Sequence, residues 1–307
     1  MGTMQKPLKE IKKLDYIDKV YKMSIFPSGK LISVSYDCII KIWNTDFALI
    51  QKINNSHDIS IIFCVSIKDE NNFATCSFRN INIFSYNVIQ YDLKETIYNA
   101  HNGYIYKILF CSDKKIISCS TDKTLKIWKE TKKLNKYQCV TILSHNNFVK
   151  SFIYFENKKI LISGGLDSTR IWDLKEYKLD GIIYAKCYWW NAFDNIDDDR
   201  IIIGSEYDDY MKVISISQRK IIKEIKNDFP CLAVLVAKKE EVFIIGGQSK
   251  EIKVYRIDNY ECIQIIKKAH INHIIGFTQF DNGQIASYSH DMLKIWRFEE
   301  GYLCNYK

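Results

Sequence analysis

The chain is poor in the residues that interrupt regular structure. Of its 307 residues only 12 are glycine and 3 proline, about 4% and 1% against ordinary usages of ~7% and ~5%, which excludes collagenous, linker-rich and low-complexity architectures. Long apolar runs are also missing. The longest spans Cys231 to Ala237, far short of the ~20 residues a membrane-crossing helix needs. The opening MGTMQKPLKEIKKL has no apolar signal-peptide core, and Lys6 stands where a myristoylation motif carries Ser or Thr. Cys304 is followed by polar Asn305 and a final Lys307, so the C-terminus fails as a prenylation box.

No Cys-x-x-Cys pair occurs among the ten cysteines, most of which sit in β-like runs such as FATCS (73–77) and IISCS (116–120). They read as buried reduced thiols rather than disulfides or zinc ligands, in a reducing, cytoplasmic setting with the nucleus left open. Dense basic blocks are absent too. The net charge of +8 is spread along the chain, a weak preference for acidic partners and no dedicated nucleic-acid site.

What the chain has is apolar content and repetition. Hydrophobic residues make up 47% and charged ones 26%, enough for a sizeable core. The segments LISVSYDCIIKIW (31–43), KIISCSTDKTLKIW (115–128), ILISGGLDSTRIW (160–172) and QIASYSHDMLKIW (284–296) repeat one pattern. Each is an apolar run, a small residue, a turn Asp and an alternating run closed by Trp. Weaker copies occupy 73–84, 201–214 and 242–255. The closing residues Trp43, Phe84, Trp128, Trp172, Ile214, Tyr255 and Trp296 are spaced by 41, 44, 44, 42, 41 and 41 residues. Alternation with β-branched and aromatic content indicates strands, the Asp-containing breaks indicate tight turns, and no stretch carries a capped helical period.

This period and wording resemble the WD-repeat family, in which a unit of ~40–45 residues is one four-stranded blade of a β-propeller. The resemblance implies an all-β, seven-bladed propeller of antiparallel blades, one domain over residues 4–307. The segment EIKKLDYIDKVYKMSIF (10–26) aligns with QIIKKAHINHIIGFTQF (264–280). Residues 7–13 are therefore expected to supply the last strand of the C-terminal blade, closing the ring and covering two open edges. The tail GYLCNYK (301–307) resembles NYECIQI (259–265) and competes for the same place; the N-terminal segment is preferred.

Four histidines, His57, His101, His145 and His270, stand 26 or 27 residues before a closing aromatic. In the family such a His, a strand hydroxyl, the turn Asp and the Trp form a buried chain: the indole N–H donates to the hydroxyl, the hydroxyl to imidazole, and imidazole to the carboxylate. Two full sets are expected, His101, Ser120, Asp122, Trp128 and His270, Ser289, Asp291, Trp296. Blade one offers Ser35, Asp37 and Trp43 with Asp15 where His belongs, blade four has Gly165 at the hydroxyl position, and blade two keeps His57 and Ser77 but carries Arg79 and Phe84. A Ser-His-Asp catalytic triad is the competing reading. It is disfavoured because the trio recurs around the ring with Trp attached, whereas catalysis needs one exposed nucleophile beside an oxyanion hole.

His270 and His273 show no third metal ligand, and the paired glycines at 164–165 and 246–247 lack the Lys-Ser/Thr of a phosphate loop. No catalytic residue, cofactor or metal is expected.

The resemblance places partner binding on one propeller face. Carried over, the positions before the turn Asp are Tyr36, Thr121, Leu166 and His290, with Phe78 before the divergent Arg79. Those leading into each first strand are Tyr104, Phe148 and His273, with Ser60 and Trp189. Aromatics of this kind bury large area at small rotamer cost, and an arginine such as Arg79 suits an acidic or phosphorylated group. The expected function is a noncatalytic scaffold, a monomeric propeller within a complex, holding a protein or peptide partner. The alternative is a receptor for an anionic ligand such as a phosphopeptide, acidic peptide or anionic surface, though the paired arginines of phosphoinositide-binding propellers are absent.

Overall fold

A computed structural model describes residues 7–54, 56–57, 62–131, 136–204, 210–290 and 292–299, apart from 16–19. Its strands group into seven separate four-stranded antiparallel sheets. Six are consecutive meanders at 20–53, 64–97, 105–144, 149–183, 193–226 and 231–266. The seventh joins Gly276–Gln279, Ile285–Tyr288 and Met292–Phe298 to Leu8–Asp15 from the other end of the chain. First strands of neighbouring sheets touch in order, and that of blade seven touches blade one, so the wheel is closed.

Strand periodicity explains this arrangement. Middle strands such as Leu31–Ser35 and Val242–Gly247 are buried along their whole length, because each blade packs on a neighbour at both faces. Fourth strands such as Lys136–Ser144 are largely exposed. Each interface has its own apolar cluster. Phe26, Ile32, Val34, Ile40 and Ile42 of blade one meet Val65, Phe73, Phe84 and Tyr91 of blade two. The ring closes where Val20, Met23 and Leu31 meet Tyr288, Leu293 and Ile295.

The closing residues lie in the third strand of each sheet, and a bulge recurs opposite all seven. The extra residue is always on the fourth strand: Ile50 between the partners of Ile42 and Trp43, Val140 between those of Ile127 and Trp128, and Ile11 between those of Ile295 and Trp296. The N-terminal strand thus carries the irregularity of every other outer strand and has the expected place. Gln264 ties it to blade six, donating from Nε2 to the Leu8 carbonyl at 3.0 Å and accepting the Leu8 amide at 2.8 Å. The competing tail 301–307 lies outside the described residues.

One expectation needs correction. Cys64 and Cys76 are joined as a disulfide, because strand pairing sets them directly opposite each other with 5.4 Å between their Cα atoms, a separation within disulfide reach. Cys111, Cys119, Cys139, Cys187, Cys231 and Cys262 are free thiols.

Candidate partner-binding face

Antiparallel meanders bring two kinds of connection to the same end of the wheel: the turn between each blade's second and third strands, and the link from its fourth strand to the next blade. The polar sets lie just beneath this end. In blade three the Trp128 indole donates to Ser118 Oγ at 2.9 Å, Ser118 meets His101 Nε2 at 2.7 Å, and His101 Nδ1 meets Asp122 at 2.8 Å. Asp122 also accepts the Asn102 amide at 3.0 Å and the Thr124 hydroxyl at 2.6 Å. Burial opposes ionisation of Asp122, but the hydrogen bonds from His101, Thr124 and Asn102 outweigh it and hold the carboxyl well below its ordinary range. Burial pushes His101 down, so it stays neutral and can accept at Nε2 while donating at Nδ1.

The hydroxyl assignment from sequence is therefore corrected. Ser118, not Ser120, bridges Trp128 and His101; Ser120 Oγ instead accepts the Asp122 amide at 3.1 Å. Both face the same side of the strand, being two residues apart, but only Ser118 lies deep enough to reach the indole. The same shift applies in blade seven. Ser287, not Ser289, accepts the Trp296 indole and meets His270 Nε2, at 2.7 and 2.6 Å, while Ser289 meets Nδ1 at 3.1 Å. Asp291 lies outside the described residues.

Blade four is complete after all. Ser163 links Trp172 and His145, each at 2.7 Å, and Asp167 takes His145 Nδ1 at 2.8 Å, so Gly165 replaces nothing needed. In blade two Thr75 and Ser77 flank His57 at 2.9 and 3.0 Å, a hydroxyl standing where the carboxylate would be, and burial lowers His57 to about 4. In blade one Trp43 donates to Ser33 at 3.1 Å while Ser35 donates to Asp37 and to the Ile39 carbonyl. The Asp15 side chain is outside the described residues. Ser118, Ser163 and Ser287 are fully buried and already engaged by an indole, the opposite of an exposed nucleophile.

The described rim residues from the sequence fall at this end. Tyr36, Tyr104 and Phe148 are 46%, 38% and 40% exposed. Arg79 and His273 are exposed, while Thr121, Leu166, Trp189 and His290 are half-buried. Backbone bonds fix this rim: Arg79 N–H of blade two donates to the Gly103 carbonyl in the link to blade three, while Thr121 N–H donates to that of Tyr104 within blade three and Leu166 N–H to that of Phe148 within blade four. Arg79 adopts φ 71°, and its guanidinium lies 4.7 Å from the centre of the Phe78 ring. Phe78 packs on Tyr104 at 4.9 Å and Tyr104 on Phe63 at 5.4 Å. Ser60 lies outside the described residues.

Sequence reasoning singles out the run Tyr188-Trp189-Trp190 as the most suggestive cluster on this face, but not its path across the centre. The link 184–192 of blade five sends Trp190 across the channel, where it meets Tyr106 of blade three stacked at 5.1 Å, Phe63 of blade two at 5.7 Å and Tyr21 of blade one at 6.2 Å. Trp189 stacks on Trp190 at 4.3 Å, and His290 abuts Tyr21 at 5.6 Å. Asn191 continues the crossing, donating to the Ile275 carbonyl of blade seven at 2.6 Å. Trp190 is 7% exposed: it plugs the wheel. The signal was the repeated Val20-Tyr21-Lys22 and Ile105-Tyr106-Lys107, each with a bulge at the Tyr that steers it inward.

Comparison with known proteins agrees with this architecture. The family described as "WD domain, G-beta repeat" matches residues 9–44 and 93–129. Each match starts in one blade's fourth strand and ends with the next blade's third, so the sequence repeat is offset by one strand from the sheet. DDB1- and CUL4-associated factor 10 of Homo sapiens is 32% identical over 95 residues, covering 31% of this chain and 17% of that protein. Its Xenopus laevis counterpart is 30% identical over 95 residues, 31% of this chain and 20% of that protein. The chain thus matches about a fifth or less of the length of these relatives.

Proposed function

We propose, from the premise that this chain belongs to the WD-repeat β-propeller family, that it is a noncatalytic scaffold holding a protein or peptide partner on the face that carries Tyr36, Arg79, Tyr104 and Phe148. The observation that carries this reading is the division of labour on that face. The His-Ser-Asp-Trp sets are buried and satisfied by neighbours and the Trp190 plug is buried among the rings of other blades, whereas Tyr36, Tyr104 and Phe148 stand exposed above them. Exposed aromatics on a rigid floor are the residues from which interface hot spots are made. The proposal includes assembly with DDB1 and CUL4, in line with the name of the relatives it resembles, and, from the sequence reading alone, a cytoplasmic setting.

The test is co-purification of the chain with DDB1, beside capture of partners from native cells by the parent and by the double variant Tyr36→Ala/Tyr104→Ala. A partner retained by the parent and released by the variant supports the face. A variant that keeps every partner rejects it, and failure to bind DDB1 rejects that assembly while leaving the face open to another partner.

A further inference from the structure

The turns between third and fourth strands lie at the end of the wheel opposite the partner face. Among the described residues five of them hold one residue in the left-handed backbone region: Phe47, Val88, Tyr177, Arg219 and Tyr260, at φ 65°, 84°, 52°, 53° and 63°. Four of these side chains reach the preceding blade. Phe47 packs on Phe280 of blade seven at 6.0 Å, Tyr177 bonds to the Lys115 side chain of blade three, Arg219 donates to Asp180 of blade four at 2.8 Å, and the Tyr260 hydroxyl accepts from Arg200 of blade five at 2.8 Å. Val88 stands in solvent instead, 85% exposed beside Ile89 at 84%. The place on blade one is taken by Tyr91, which stacks on Phe26 at 5.4 Å and is tied by its backbone to the Gln51 side chain at 2.8 and 3.0 Å.

A β-branched residue at positive φ is strained, because its Cβ crowds the backbone where glycine would not. The turn nonetheless holds it: Asn87 Oδ1 accepts the Ile89 and Gln90 amides at 3.1 and 3.0 Å, and the Asn87 amide donates to the Gln90 carbonyl at 2.9 Å. At 85% exposure Val88 has too few contacts within the chain to offset that strain. We propose that Val88 and Ile89 form a docking prong that enters an apolar socket of a protein partner, on the face opposite Tyr36 and Tyr104. The collar of the prong decides the class of partner. From Tyr86 to Leu93 there is no Lys or Arg, and the one charged group, Asp92, accepts from the side-chain amides of Asn87 and Gln90. An anionic bilayer calls for cations beside its apolar anchors, and a carboxylate there repels it. The complementary surface is a protein socket rimmed by Lys, Arg or backbone N–H groups.

The test places a photoreactive diazirine residue at position 89 of the full chain, identifies the protein it crosslinks in native cells, and titrates that protein, once purified, against parent and variants. The expected result is crosslinking to apolar residues of one protein, and an affinity weakened about tenfold or more by Val88→Gly/Ile89→Ser, the loss typical of an apolar anchor. The same variant should still hold any partner that Tyr36→Ala/Tyr104→Ala releases. Val88→Gly alone should melt no lower than the parent, since glycine takes the left-handed backbone without strain. Vesicles of phosphatidylcholine and phosphatidylserine form a second arm, in which no binding is expected. Absence of a crosslinked protein, equal affinity for parent and double variant, a lower Tm for Val88→Gly, or vesicle binding that the double variant loses overturns the proposal.

Discussion

The indole of Trp128 donates to Ser118, and through it reaches His101 and Asp122 in one unbroken chain. Among the described residues Trp128 Nε1 and His101 Nε2 have Ser118 as their one partner, so its deletion orphans both inside the blade. Ser118→Ala is therefore expected to cost about 1–3 kcal/mol in urea unfolding, and Ser120→Ala, which loses only an acceptor for the Asp122 amide, less than that. Equal losses would mean that the chain does not run through Ser118.

Trp190 fills the channel against residues of three other blades. Trp190→Ala should cost about 3–5 kcal/mol, the range for removing a large buried aromatic, and Trp190→Phe distinctly less. Chemical denaturation of both variants decides it; an alanine variant as stable as the parent would show that the plug is not a packing element.

The N-terminal strand is part of the wheel, not an appendage. Leu8 is 2% exposed in the cluster between blades six and seven, so Leu8→Ala should lower stability by about 2–4 kcal/mol. A loss near zero would hand the last strand of blade seven to another segment.

His57 sets an acid limit. Its folded value, near 4, lies below the ordinary 6.5 because of burial, so the unfolded chain binds the proton more readily. Stability is fully present above about pH 6.5 and falls as the pH drops toward 4, by on the order of 3 kcal/mol from this residue. In His57→Gln the decline between pH 6.5 and 4 should be shallower, as read from unfolding free energies across that range.

Much of this molecule was legible as text. The spacing of Trp43, Trp128, Trp172 and Trp296 implied seven blades, and the likeness of 10–26 to 264–280 implied the clasp, because a repeated unit that cannot bury its faces alone must stack on copies of itself. Turn positions such as Tyr36 and Tyr104 were also readable, since the alternation of an antiparallel meander decides which end of the wheel they occupy. Only the tertiary structure decided which of two serines on one strand face, Ser118 or Ser120, meets the indole, because both satisfy the same period and depth alone separates them. Only it could show that Cys64 lies opposite Cys76, or that Trp190 crosses the axis to Tyr21 and Tyr106. Such contacts join positions far apart in the chain, and the pattern along one blade carries no information about what another blade sends across the centre.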